Sequence, residues 1–147
     1  MARVLVSACM VGRPCRFDGR DRKVDTLLEA LGREGVEVVS FCPEEAGGLG
    51  TPRPAAHLEG GDGHAVLDGR ARVVTDAGAD VTAAFLLGAR LAVERAKETG
   101  CAVAYLKERS PSCGCGEVHA AGGVVRGAGV TSAMLRRAGI ATVSVDG

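Results

Sequence analysis

A chain of 147 residues is long enough to bury one well-filled core, and nothing in its composition divides it, so one domain over residues 1–147 is expected. Its 18 basic and 18 acidic residues cancel, and only 3% of it is aromatic, with no tryptophan. That balance excludes a long-range field drawing in nucleic acid or an anionic membrane surface, and the aromatic poverty argues against a stacking platform for single strands. Stable nucleic-acid binding is therefore not expected. No apolar run approaches the roughly 20 residues that span a bilayer, so a cytoplasmic chain acting on a small partner is the reading. Six cysteines are many for such a chain, and in a reducing compartment they read as metal ligands or reactive thiols before disulfides.

Val4-Leu5-Val6 is a continuous apolar run and predicts a central strand covered on both faces. After a loop rich in Gly, Pro and Arg, Val24, Leu27, Leu28 and Leu31 share one face of a helix predicted to Arg33, with Gly35 as its stop. Val36 to Phe41 predicts a second strand, reached by a crossover that sets it parallel to the first. From Gly47 to Gly63 the chain reads as loop, because Gly47-Gly48-Leu49-Gly50-Thr51-Pro52-Arg53-Pro54 neither continues a helix nor sits inside a sheet. His64 to Leu67 and Ala71 to Thr75, joined by Asp68-Gly69-Arg70, predict a small polar hairpin at the periphery. Asp80 caps the longest predicted helix, in which Val81, Ala84, Phe85, Gly88, Leu91, Ala92 and Ala96 recur at helical spacing until Thr99-Gly100. Ala102 to Leu106 predicts a third buried strand, Val130 to Arg137 a last helix stopped by Gly139, and Ala141 to Val145 a final strand. The alternation of strand, loop and helix specifies an α/β fold: a three-layer, doubly wound, Rossmann-like and mostly parallel sheet with a small peripheral hairpin.

An open parallel sheet binds ligands outside the carboxyl ends of its strands, where the strand order reverses. Cys9 follows the first strand, Cys42 the second and Cys113 the third, so three thiols remote in sequence can meet at one edge. Paired ligands at zinc spacing are missing, which disfavours zinc. Three thiolates with few histidines suit an iron–sulfur cluster, whose fourth iron would stay open as a Lewis acid. Any single cysteine is also a candidate core hydrophobe. Cys101, opening the third strand, takes that reading, while Cys15 and Cys115 stay open between core and ligand.

In Cys42-Pro43-Glu44 a carboxylate lies two residues from a thiol, in range to act as a general base. Ser110-Pro111-Ser112-Cys113-Gly114 surrounds the third thiol with hydroxyls able to bond cluster sulfur or a substrate carbonyl. The bland counterparts are a solvated loop glutamate and ordinary turn chemistry. Arg16, Asp18, Arg53, Lys107 and Arg109 place charge near the rim, and His57, His64 and His119, without ligand spacing, read as surface or hydrogen-bonding residues. Gly127-Ala128-Gly129 is a weak signal for an anion cradle at the last helix.

Taken together, Val6-Ser7-Ala8-Cys9-Met10-Val11-Gly12, Cys15-Arg16-Phe17-Asp18-Gly19, Cys42-Pro43-Glu44 with Gly47-Gly48-Leu49 and Thr51-Pro52-Arg53-Pro54, Lys107 to Gly114, and Gly129-Val130-Thr131 before Leu135 resemble the thiouracil desulfurase family. The likeness runs in order over nearly the whole chain. It implies a [4Fe–4S] cluster on Cys9, Cys42 and Cys113, with one iron not bound by protein and free to take a thiocarbonyl sulfur. It further implies catalytic roles for Glu44 and Ser110, and a substrate side to which Ser112, Arg53 and Lys107 are assigned. Met10-Val11 and Phe17 stand where leucines and tyrosine are commoner, and Cys115 adds a thiol beside the third ligand. The implied activity is a non-redox, hydrolytic desulfuration of thiouracil, or of its nucleoside or nucleotide, to the uracil form with release of sulfide. The rival readings are transfer of the captured sulfur to an acceptor, and a non-catalytic module binding zinc or a cluster.

Overall fold

Val4, Leu5 and Val6 are all buried, and the strand they form, β1 (Arg3–Ser7), is covered on both faces as an unbroken apolar run requires. The computed structural model describes residues 2–19 and 23–145. After β1 and a single 3-10 turn over Ala8–Val11 come α1 (Asp25–Arg33), β2 (Glu37–Phe41), α2 (Pro43–Ala46), β3 (Ala56–Glu59), α3 (Gly63–Leu67) and β4 (Arg72–Thr75). The chain continues through α4 (Thr82–Thr99), β5 (Val103–Lys107), β6 (Glu117–Ala120), β7 (Gly123–Arg126), α5 (Val130–Arg137) and β8 (Ala141–Val145). Among the described residues, no helix is long and apolar enough to cross a membrane.

The first sheet is parallel throughout, in the order β2-β1-β5-β8. On one face Val4, Val6 and Met10 pack with Leu31 and Leu27 of α1; on the other, Leu5, Val39, Ala104 and Leu106 meet Val93 and Ala96 of α4 and Leu135 of α5. These are the three layers of a Rossmann-like α/β fold. The chain passes from β1 outward to β2, then returns to β5 on the opposite side of β1, so the strand order reverses between β1 and β5.

The segment expected to be loop and peripheral hairpin is built differently. Ala56–Glu59 is a strand, Gly63–Leu67 is a helix rather than a hairpin arm, and β4 pairs antiparallel with β3. The helix forms because Asp62 caps it, accepting the Ala65 N–H at 3.2 Å. Two strands absent from the sequence reading, β6 and β7, complete a second, mixed sheet in the order β4-β3-β6-β7. It is not a polar appendage, since Leu58, Val73 and Val118 form a core with Phe85 and Ala89 of α4 and Val130 of α5. Helix α4 therefore serves both sheets, with Val93 and Ala96 facing the first and Phe85 and Ala89 the second.

Helix α2 rests backbone against backbone on α4. A Cβ at Gly88 would fall on the Pro43 carbonyl, and one at Gly47 on the Ala84 carbonyl. Neither obstacle is a flexible side chain, so only displacement of α2 makes room. Gly88→Ala should lower stability by about 1–3 kcal/mol in urea unfolding. Gly32→Ala on α1, where a Cβ meets nothing within 4 Å, should be neutral or gain up to about 1 kcal/mol from helix propensity.

Candidate active site

The three strand-end thiols reach one place. Cys9 lies on the 3-10 turn that follows β1, Cys42 stands at the N-cap of α2 directly after β2, and Cys113 sits in the loop after β5. All three line a cavity of about 570 Å³. Cys9 and Cys113 are buried and Cys42 is half-buried. The cavity is walled on its other side by the second sheet, through Ala56 and His57 of β3, Asp76 beyond β4, and His119 and Ala120 of β6. His57 and His119 thus face the site, which their sequence spacing did not suggest; His57 Nδ1 lies 3.4 Å from Asp76. His64 is elsewhere, accepting from Arg137 at 3.3 Å.

The loop that carries Cys113 is held from inside by a carboxylate. Glu108 Oε1 accepts the backbone N–H groups of Arg109, Cys115, Gly116 and Glu117 at 3.2, 2.8, 3.2 and 3.3 Å, and Oε2 accepts the Ser144 hydroxyl at 2.6 Å. Burial works against ionisation here, but the Ser144 hydroxyl and the converging N–H groups outweigh it and hold the Glu108 carboxyl down at about 2. Ser110 Oγ accepts the N–H groups of Ser112 and Cys113 at 3.1 and 3.0 Å. With both lone pairs so engaged, its O–H is left to donate, and Ser110 lines the cavity.

Ser112 takes a different place from the one the sequence suggested. It is 1% exposed, its hydroxyl bonds Thr131 at 2.7 Å, and it does not line the cavity. The Pro111 and Ser112 carbonyls accept the N–H groups of Val130, Thr131 and Ser132, so this loop caps α5. The Gly127-Ala128-Gly129 segment offers no anion cradle either. Its three N–H groups go to the Gly116 carbonyl, the Asp62 carboxylate and the Gly114 carbonyl, at 3.0, 3.2 and 2.7 Å.

Glu44, in the first turn of α2, lines the cavity. Its Oε2 receives Arg53 at 2.9 Å, and the Arg53 side chain is only 6% exposed. Arg53 also donates to the Cys15 carbonyl at 3.0 Å, to Thr51 Oγ1 at 2.9 Å and to the Gly50 carbonyl at 3.1 Å. Arg53 therefore stands behind Glu44 and fixes it, rather than forming cavity wall. Lys107 does line the cavity, with its Nζ 3.0 Å from the Glu108 carbonyl.

The thiols are chemically coupled. Cys15 lines the same cavity and packs in one cluster with Cys9 and Cys42, and its carbonyl accepts from the Cys42 thiol at 3.8 Å. Contact with Cys42 eases its ionisation, but contact with Cys9 and burial prevail and push Cys15 up to about 11. Cys42 is raised as well, by Cys15 and by burial. Burial pushes Cys113 up to about 12, against the Ser7 hydroxyl that points to it. Thiols in such surroundings become thiolates when a cation shares the site. Ser7 was not singled out from sequence; its Oγ also accepts the Lys107 N–H at 3.1 Å, tying β1 to β5 beneath the site. Cys101 lies in the core as read, and Cys115 is buried against α5, with Ser132 Oγ at 3.7 Å, off the cavity wall.

A parallel α/β sheet with thiols gathered at its switch point defines a Rossmann-like protein with a cysteine-lined site. The chain belongs to the 2-thiouracil desulfurase family, whose profile matches residues 4–146. A solved structure of the [4Fe–4S]-dependent thiouracil desulfidase TudS is 44% identical and superposes with a TM-score of 0.83, covering 98% of this chain and 91% of that one. The uncharacterized protein YbbK of Bacillus subtilis strain 168 is 38% identical over 144 residues, which is 96% of this chain and 94% of that protein.

Because Glu108 is held near 2 in the fold against an ordinary value of 4.5, its stabilisation is present above pH 4.5 and is lost as pH falls toward 2. Urea unfolding across that range should show a steeper loss of stability in the parent than in Glu108→Gln. At neutral pH the variant should be less stable by roughly 1–2 kcal/mol, because solvent screens part of the carboxylate's interactions.

Proposed function

We propose that this chain is a [4Fe–4S]-dependent desulfurase that converts thiouracil, as the base or within a nucleoside or nucleotide, to the uracil form and releases sulfide. The observation that carries the reading is the arrival of Cys9, Cys42 and Cys113 on the wall of one cavity from the ends of three parallel strands. Family membership and the likeness to TudS support it. The donor set fits the group: thiols enclosed at one wall, with no histidine beside them in sequence, suit soft iron–sulfur chemistry. Cys9, Cys42 and Cys113 would hold the cluster. When bound it supplies a thiophilic, Lewis-acidic iron without a protein ligand, suited to a thiocarbonyl sulfur.

The chain's own residues supply the rest. Glu44, fixed through Oε2 by Arg53, takes a proton from water as it attacks the carbon that bears sulfur. Ser110, whose hydroxyl can only donate, orients the pyrimidine through a ring acceptor. Lys107 contributes a cation at the cavity wall. Ser112 and Arg53 act one step back, Ser112 by anchoring the Cys113 loop to α5 through Thr131 and Arg53 by aiming Glu44. The balance is thiocarbonyl plus water giving carbonyl plus hydrogen sulfide, with no change in electron count.

The cavity of about 570 Å³ holds cluster and pyrimidine together, with the thiol wall given to the cluster. Arg16, Arg109, His57 and His119 on the remaining walls are suited to a sugar or phosphate. Glu44→Gln should retain full iron and acid-labile sulfide yet lose about 10²–10⁴-fold in turnover, the usual worth of a positioned base. Undiminished turnover in that variant would remove Glu44 from the base role. Free sulfide appearing one for one with loss of thiocarbonyl absorbance supports hydrolysis; a strict need for an acceptor would establish sulfur transfer instead.

A further inference from the structure

Of the buried thiols that take no part in the proposed chemistry, Cys15 alone lines the cavity. Cys15 sits 2% exposed in the turn after the Cys9 segment, and its sulfur, the Cys42 sulfur and a Glu45 carboxylate oxygen all lie within 4.8 Å of one another. Cys9 and Cys113 are outside this group. Cys9 packs in the same cluster as Cys15 and lines the same cavity wall, so its thiol is the nearest further donor for an ion held by the other three. In a tetrahedral zinc site, metal–ligand bonds of about 2.0–2.3 Å put neighbouring donors roughly 3.3–3.8 Å apart. For Cys15, Cys42 and Glu45, already within 4.8 Å of one another, reaching that spacing takes side-chain rotation, not refolding.

The surroundings also suit a divalent ion. Glu45 is already oriented, accepting from Arg13 at 3.1 Å and from the Thr51 hydroxyl at 2.5 Å, as ligating carboxylates commonly are. Three thiolates and a carboxylate leave a net negative site around a dication, and the Arg13 guanidinium at 2.8 Å from Glu45 and Arg53 on the Cys15 carbonyl supply compensating charge. We propose that the cluster-free protein binds one zinc ion through Cys9, Cys15, Cys42 and Glu45. Each thiol gives its proton to solvent on binding, and no redox step is involved. This site shares two thiols with the cluster, so zinc and cluster exclude each other. That exclusivity rests on the cluster reading; the zinc site itself does not.

The test uses anaerobic, metal-free full-length protein titrated with Co²⁺ as a spectroscopic stand-in, then with Zn²⁺ against a chromophoric chelator. One Co²⁺ per chain is expected, with tetrahedral d–d bands and a thiolate charge-transfer intensity fitting three sulfurs. Cys15→Ser and Cys15→Ala should weaken zinc by more than about 100-fold, since losing even a partner of a ligand costs about 10–100-fold. Cys113→Ser should bind zinc as the parent does while failing to assemble a cluster, and only this last arm depends on the cluster reading. X-ray absorption of the zinc-loaded parent needs no variant and should count three sulfurs at about 2.3 Å with one oxygen. Parental zinc affinity in the Cys15 variants, loss of zinc in Cys113→Ser, or a shell dominated by oxygen and nitrogen would overturn the proposal.

Discussion

Parallel pairing of β1 with β2 on one side and β5 on the other makes three distant stretches of chain finish at the same edge of a sheet. The first residues beyond those ends carry Cys9, Cys42 and, a loop further on, Cys113. The strand order reverses between β1 and β5, so the edge opens into a crevice instead of being sealed by a crossover. The second sheet then closes the far side, turning a crevice into a cavity with His57, Asp76 and His119 on its opposite wall. Register in the first sheet thus fixes thiol geometry, and packing of α4 against both sheets fixes the distance across the cavity.

A strand end sets position only coarsely, and loops must be stiffened to hold reactive groups. Three devices share that task. The Glu108 carboxylate collects four N–H groups of the Cys113 loop. Arg53, nearly buried, joins Glu44 to the Cys15 carbonyl and to Thr51. Gly47 and Gly88 let α2 lie directly on α4, which sets the height of Glu44 above the sheet. The first two satisfy backbone or charged groups that burial would otherwise leave unpaired, so site geometry and local stability rest on the same contacts.

How much of this could be read from residues alone follows from where the information sits. In the first sheet β1 and β5 were legible as short apolar runs, the half-exposed edge strands β2 and β8 as valine-rich segments that follow a helix and its glycine stop, and α5 from the glycine stop beyond it. Convergence of the three cysteines was legible because strand direction alone implies it. Of the second sheet only β4 was legible, as the Ala71 to Thr75 arm of a hairpin. The strands of this sheet are four residues long, and β7 is exposed along its whole length. The link between β3 and β6 rests on the pairing of Leu58 with Ala120, far apart in sequence. With β3 and β6 unseen, His57 and His119 had no reason to be placed at the site. Direction was the other gap: Ser112 and Arg53 are near the chemistry in sequence, but only packing shows that one turns to Thr131 and the other stands behind Glu44.

The position of iron decides whether these three thiols form the metal centre. A crystal of anaerobically reconstituted protein, measured at the iron absorption edge, should show anomalous density bounded by the sulfurs of Cys9, Cys42 and Cys113, with the remaining corner facing Glu44 and Ser110 across the cavity. Iron held by a different set of side chains, or a fourth iron capped by Cys15, would contradict it.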